Sequence, residues 1–276
     1  VTIDYSGVLD RIHRSLLPEN YLEVGVQHGY TLRLALPCTK VIGVDPAPVL
    51  LAALGSNVQV HRMTSDVFFD DGHADRALDS KPIDLAFIDG LHLFEFALRD
   101  FCNIERRSHS DTVVILDDCL PRTSAEASRE RSTVAWAGDV WRVLECLMEQ
   151  RPDLDITVIR AAPTGLALIR NLDPTSRSLD PHNQSLMDRY LERDFDTFAP
   201  TTLPQLSVID PDWSLIEPLL PAARRPGLDV DALVAARDRR APDRRTRARR
   251  ARYGVLHTRL GAHLANVVRS IRTRAM

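Results

Sequence analysis

Lysine is almost missing from this 276-residue chain: Lys40 and Lys81 are the only two, and every other basic side chain is arginine. A bias that complete reads as GC-rich coding, so arginine abundance by itself carries little functional weight. Cysteine is also scarce. Cys38, Cys102, Cys119 and Cys146 form no CxxC pair, which excludes a disulfide scaffold and speaks against a structural zinc site. No apolar run approaches the roughly 18 residues of a membrane span, and residues 1–15 lack the apolar core of a signal peptide. These absences fit a reducing, cytoplasmic setting. What is present is ordinary for a globular protein, with 44% hydrophobic and 26% charged residues, so a mostly disordered or collagen-like chain is excluded. The net charge of −3 is unevenly spread. Residues 224–276 hold 15 Arg, no Lys and four acids, about +11, and the rest of the chain is about −14. Such a split suggests an anionic partner or docking of the tail on its own body.

Short apolar or β-branched runs alternate with helical patterns over residues 20–171. They cover residues 21–26, 41–45, 58–62, 83–89, 112–117, 155–160 and 166–170. Four of the first five lack polar/apolar alternation, as expected of parallel strands buried on both faces. Between them, Phe94, Leu98, Phe101 and Ile104 recur at helical spacing, as do Val143, Leu144 and Leu147. This predicts an α/β fold: a doubly wound, mostly parallel seven-stranded sheet with right-handed crossovers. The last two runs are five residues apart, too close for a crossover helix, so the sheet ends in an antiparallel hairpin. Eight of the 17 prolines fall between Pro174 and Pro226. The expected organisation is a core over 1–173, a Pro-rich, loop-rich appendage over 174–223 packed on it, and an Arg-rich helical tail over 224–276. In the tail, Leu256, Leu260, Leu264, Val267, Val268 and Ile271 share one stripe.

The first strand runs into Glu23-x-Gly25-x-x-x-Gly29, and Asp45 closes the second. The glycines allow a tight turn and close approach to a ligand at the carboxyl end of the sheet. Asp45 stands 20 residues after Gly25, where a carboxylate can accept both hydroxyls of a ribose. The Gly-x-Gly-x-x-Gly cradle for a pyrophosphate is missing. A cofactor with a ribose and no pyrophosphate is therefore favoured, and S-adenosylmethionine is the commonest. Ser65 and Asp66 follow the third strand; Asp66 can receive an adenine amino group, and the same residues also suit a plain helix N-cap.

At this point the chain resembles the class I S-adenosylmethionine-dependent methyltransferases over residues 15–171, with the Rossmann-like sheet and terminal hairpin of that fold. Phe87-Ile88-Asp89-Gly90-Leu91-His92, Ile115-Leu116-Asp117-Asp118 and Trp136-Ala137-Gly138-Asp139-Val140-Trp141 look like the bacterial magnesium-dependent sugar O-methyltransferases of the macrocin-type branch. Within that branch, mycobacterial oligosaccharide enzymes such as the 1-O-methyltransferase of methylmannose polysaccharide synthesis are the most suggestive. The resemblance implies methyl transfer to a hydroxyl of a sugar or oligosaccharide, a mannoside among the candidates. It places a metal role on Asp89, Asp117 and Asp118. Three carboxylates at strand ends repel one another unless a cation sits between them, and oxygen-only ligation suits Mg²⁺. Some relatives carry an acidic base two positions after the first ligand. Leu91 stands there in this chain, and His92 is the replacement: a neutral imidazole can take a hydroxyl proton. Trp136, Asp139 and Trp141 are assigned to the acceptor, with stacking on a sugar ring set against simple core anchoring. Residues 122–133 read as a lid.

Three other functions compete. A catechol- or antibiotic-type O-methyltransferase would share the metal site and use a narrow apolar acceptor pocket. A nucleic-acid methyltransferase is disfavoured, because the fourth strand ends in Ile88-Asp89-Gly90 and not in an Asn/Asp-Pro-Pro-aromatic motif. A non-catalytic interaction protein would use the 255–271 stripe, either on an anionic membrane or against another subunit. Packing on its own acidic body or a homodimer contact is the favoured reading of that stripe.

Overall fold

The computed structural model of the protein describes residues 3–240. Eight strands form one sheet: β1 (Asn20–Val24), β2 (Lys40–Val44), β3 (Val58–His61), β4 (Leu85–Ile88), β5 (Val113–Asp117), β6 (Asp155–Ile159), β7 (Leu166–Arg170) and β8 (Ser207–Ile209). Their spatial order is β3-β2-β1-β4-β5-β7-β6-β8. The pairings among β1 to β5 are all parallel. β7 runs antiparallel between β5 and β6, which is the hairpin expected from the five-residue connection. The chain winds outward from β1 to β3 and then returns to place β4 on the other side of β1. That reversal opens a crevice beyond the carboxyl ends of β1 and β4, where open α/β sheets bind ligands.

Both faces of the sheet are covered, which explains the unalternating sequence. In β5, Val114 and Leu116 join one core with α2 (Ser65–Asp70), α4 (Phe94–Glu105) and α5 (Trp141–Gln150), through Phe68, Phe101 and Leu147. Val113 and Ile115 point the other way, onto Val8, Ile12 and Leu16 of α1 (Tyr5–Leu16). α1 is started by Asp4, whose carboxylate accepts the Gly7 amide at 2.8 Å.

The sheet has eight strands where seven were expected. β8 comes from the Pro-rich segment and pairs in parallel with β6. At three residues, between Pro204 and Pro211, it is too short to show a period. The same segment is less loop-like than its prolines imply. α6 (Gln184–Leu191) and α7 (Phe195–Thr201) insert Met187, Tyr190 and Phe198 into the first core.

The described part of the basic tail docks on the body. The Arg224 amide donates to Leu16 O at 2.8 Å and its side chain meets Asp84 at 2.8 Å. Arg225 donates to the carbonyls of Leu17, Pro18 and Cys38. Arg237 of α9 (Val230–Asp238) pairs with Asp10 and donates to Leu34 O at 2.8 Å. The 255–271 stripe lies outside the described residues. Among those described, no helix is long and apolar enough to cross a membrane.

Candidate active site

A cleft of about 470 Å³ lies over the carboxyl ends of β1, β2, β4 and β5. Its back wall is the turn after β1. Gly25 has φ +90°, and a Cβ there would overlap the Asp89 carbonyl, so only glycine lets the two strand ends meet. Asp45 faces the cleft and also fixes this turn. It accepts the amides of Val26 (3.0 Å), Gln27 (2.7 Å) and Ala47 (2.7 Å). Since a carboxylate offers about four lone-pair sites, capacity for a ligand hydroxyl remains. Glu23 and Gly29, expected with them, are not part of the cleft lining. Glu23 is fully buried and accepts Tyr21 Oη at 2.6 Å and Thr31 Oγ1 at 2.7 Å; burial pushes its carboxyl up to about 8.

The floor is an acidic cluster. Asp89 follows β4, Asp117 ends β5 and Asp118 follows it. His92 sits between them, with Nε2 at 3.1 Å from Asp89 Oδ1 and Nδ1 at 2.7 Å from Asp118 Oδ2. Enclosure in the cleft would lower the imidazole pKa, but the hydrogen bonds and charges of Asp118 and Asp89 outweigh this and hold it well above the ordinary value. Asp117 is driven the other way. Enclosure, with Asp89 and Asp118 beside it, raises its carboxyl well above the usual range. His92 (φ +55°) and Asp118 (φ +61°) both adopt left-handed backbone. For non-glycine residues that conformation costs of order 1–3 kcal/mol and tends to collect at functional sites.

The expected metal set was Asp89, Asp117 and Asp118. Among the described residues, the structure groups Asp89, His92 and Asp118, with ligand atoms all within 4.8 Å of one another. Asp117 lines the same cleft, and its Oδ1 accepts the Asp118 amide at 2.8 Å. The sequence spacing could not show that the turn after β4 brings an imidazole into the cluster. Two carboxylates and one imidazole fit a divalent cation, and they suit Mn²⁺ or Zn²⁺ as well as Mg²⁺.

The far end of the cleft is formed by the start of α2 and by α4. Thr64, not Ser65 or Asp66, caps α2 through its side chain. Ser65 and Asp66 line the cleft, but Arg99 Nε and Nη2 engage both Asp66 oxygens at 3.0 Å. Asp100 also lines this end and was missed in the sequence. The signal was available: with Ala97, Phe101 and Ile104 it occupies the buried face of α4, where a carboxylate is out of place.

Residues 131–136 border the opposite side. This segment is clasped by Arg129, which bonds Glu95 at 2.7 and 2.9 Å and Asp139 at 2.5 Å. Trp136 faces the cleft, but its ring is stacked on His92 with centroids 5.1 Å apart. Gly138 (φ +63°) makes that approach possible, because a Cβ there would overlap the His92 carbonyl. Asp139 and Trp141 are fully buried and lie outside the cleft lining. Asp139 joins Arg129, Arg142 and the Phe94 amide; Trp141 packs on Phe195 and Phe198. Tyr5, Leu91, Val134 and Pro163 complete this wall.

Residues 22–119 match the family model of a methyltransferase domain, a segment that holds Gly25, Asp45, Asp66 and the whole acidic cluster. No curated protein matches the chain. Among solved structures, cofactor-bound Rv0187 from MTB is similar at 20% identity, covering 62% of this chain and 82% of its own, with a TM-score of 0.48. The O-methyltransferase TomG from Streptomyces achromogenes, involved in tomaymycin synthesis and in complex with SAM, is similar at 19% identity over 61% of this chain and 79% of its own (TM-score 0.44). The O-methyltransferase from Bacillus cereus in complex with SAH is similar at 17% identity, over 60% and 78% (TM-score 0.43).

Proposed function

We propose that this protein is an S-adenosylmethionine-dependent O-methyltransferase that acts on a hydroxyl of a sugar or oligosaccharide beside a divalent cation. The observation that carries the reading is the meeting, in one cleft, of the Gly25 turn and Asp45 with the Asp89–His92–Asp118 cluster. The methyltransferase-domain match to residues 22–119 supports it. When bound, S-adenosylmethionine supplies a methyl group on a positively charged sulfur, and the acids of the floor complement that charge. A divalent cation, when bound, polarises an acceptor oxygen; Asp89, Asp117 and Asp118 are the residues that would hold it, which leaves the His92 imidazole for proton transfer.

The chain's own contribution is position and proton transfer. The Gly25 turn and Asp45 fix one reactant, the segment 131–136 covers the other, and orientation of this kind contributes on the order of 7–11 kcal/mol. His92 is the proposed acceptor of the hydroxyl proton. Both its nitrogens face carboxylates, so it takes that role only from the neutral form. Trp136, stacked on the ring, fixes its plane.

A second acceptor class is favoured by a specific observation. Of the three residues assigned to a sugar, only Trp136 borders the cleft, and the remaining wall of Tyr5, Leu91, Val134 and Pro163 is largely apolar. That wall suits a small aromatic hydroxyl. Transfer of labelled methyl from S-adenosylmethionine to a panel of sugars and phenols, with Mg²⁺, with Mn²⁺ and in excess EDTA, tests both. Transfer that depends on a divalent cation is expected. Full activity in EDTA removes the cation, and no transfer to any hydroxyl removes the O-methyltransferase reading.

A further inference from the structure

One cation of the cleft has no charge to meet. Six aspartates line the cleft, and among the described residues that line it Arg131 is the only arginine or lysine. The arginines around it are taken: Arg99 by Asp66, Arg129 by Glu95 and Asp139, and Arg142 by Asp139. No carboxylate of the described residues pairs with Arg131. Its hydrogen bond is a long one within its own segment, Nη2 to Val134 O at 3.4 Å, and its guanidinium carbon lies 5.8 Å from the centroid of the Trp136 ring. A guanidinium offers five donors in a flat fork, so most of its capacity is open, and its best match is a carboxylate or a phosphate. The position of the fork matters. Trp136 also stacks on His92, with centroids 5.1 Å apart, so the guanidinium stands one indole away from the proposed base. A small acceptor spans that step, with its hydroxyl at the imidazole and its far end at the arginine. The rest of this wall, Tyr5, Leu91, Val134 and Pro163, carries no charge. The floor does not oppose an anion there, because a divalent cation and the sulfonium, when both are bound, answer the charges of Asp89, Asp117 and Asp118.

We propose that Arg131 selects an acidic acceptor: a hydroxyl compound that bears a carboxylate or phosphate group, held by the guanidinium while its hydroxyl meets His92. The assignment rests on the O-methyltransferase reading above and narrows it, since a neutral sugar or a plain phenol leaves the guanidinium unmet. A sugar acid and an aromatic hydroxy acid share this chemistry, and the test separates them.

The test compares two pairs of acceptors that differ in charge and hardly in shape: glucuronate with glucuronamide, and dihydroxybenzoate with dihydroxybenzamide. Labelled methyl transfer from S-adenosylmethionine is measured for each as kcat/KM. The wild-type protein is expected to prefer the charged member of one pair, and that pair identifies the acceptor class. Arg131→Gln is expected to cut the preference about fivefold, the upper end for an ion pair near the surface. Arg131→Lys keeps the charge and is expected to retain most of it. If Arg131 only supports the Trp136 ring, charged and uncharged acceptors lose rate together, and their ratio stays as in the wild type. An unchanged ratio in Arg131→Gln therefore overturns the assignment. Calorimetric binding of S-adenosylhomocysteine separates this failure from that of the cofactor reading. If it binds and none of the four compounds accepts methyl, Arg131 does not select such acids, and the cofactor reading stands. If it does not bind, the cofactor reading falls and this inference with it.

Discussion

At the start of β4, Asp84 accepts the amides of Glu19 at 2.8 Å and Asn20 at 2.9 Å, and faces His109 at 2.9 Å and Arg224 at 2.8 Å. Burial alone would raise its pKa, but these partners together hold it below the ordinary carboxylate value. At the other end of the same strand, Asp89 has two acids for neighbours and His92 as its one cationic contact, and its pKa is raised, with enclosure the largest cause. The amino end of the sheet thus satisfies its carboxylates, and the carboxyl end concentrates them. Oriented partners stabilise a fold, whereas clustered like charges cost stability and are characteristic of functional sites.

Four experiments break or sharpen this contrast. The largest effect on stability is expected at the satisfied end. Asp84→Ala strands His109, Arg224 and two amides, and should cost about 3 kcal/mol of unfolding free energy in urea titration, in line with breaking other buried pairs. The loss should shrink as pH falls below about 4. A group with a depressed native pKa stabilises above its unfolded pKa and stops doing so as pH falls through the native one. A change under 0.5 kcal/mol at pH 7 would remove the contrast.

At the other end, Asp118→Ala should lower methyl transfer by roughly 10²–10³-fold, the scale of losing one preorganised electrostatic group. S-adenosylhomocysteine affinity should change by less than about twofold, because the cofactor turn after β1 is untouched. Equal loss of binding and turnover would make Asp118 structural. Glu23→Gln probes the buried acid in β1 next to the cleft turn. The native carboxyl, near 8, lies above its unfolded value. Its ionised form is therefore disfavoured in the fold, and the variant should gain stability over wild type as pH rises from about 4.5. The gain should level off above 8 in thermal melts at stepped pH, and a pH-independent difference would contradict it. The smallest effect belongs to Arg224→Ala. Arg224 is 36% exposed, and His109 and both amides still hold Asp84, so the cost should stay under about 1 kcal/mol. A larger loss would mean that the tail, and not the sheet edge, holds Asp84.

Much of the fold was legible because it is written in local pattern. The apolar and β-branched runs gave β1 to β5, the short 161–165 connection gave the antiparallel hairpin, and the acids at the ends of β4 and β5 marked the cleft floor. β8 was not legible, since three residues carry no period. The site was legible in part. Gly25, Asp45, Asp89, Asp117, Asp118 and His92 do meet in one cleft. Glu23, Gly29, Asp139 and Trp141 lie outside it, because residue type and spacing do not reveal which way a side chain points once the sheet is covered on both faces.

The sequence by itself determined that the chain forms a doubly wound α/β core with carboxylates at its strand ends, because strand burial and turn chemistry act over a few residues. Only the tertiary structure decided which carboxylates are neutralised. Asp84 meets Arg224 across 140 positions of sequence, Asp66 meets Arg99 across 33, and Asp100 is buried with one carboxylate oxygen unpaired. Charge pairing depends on distances of a few ångströms, and only the packed elements set those.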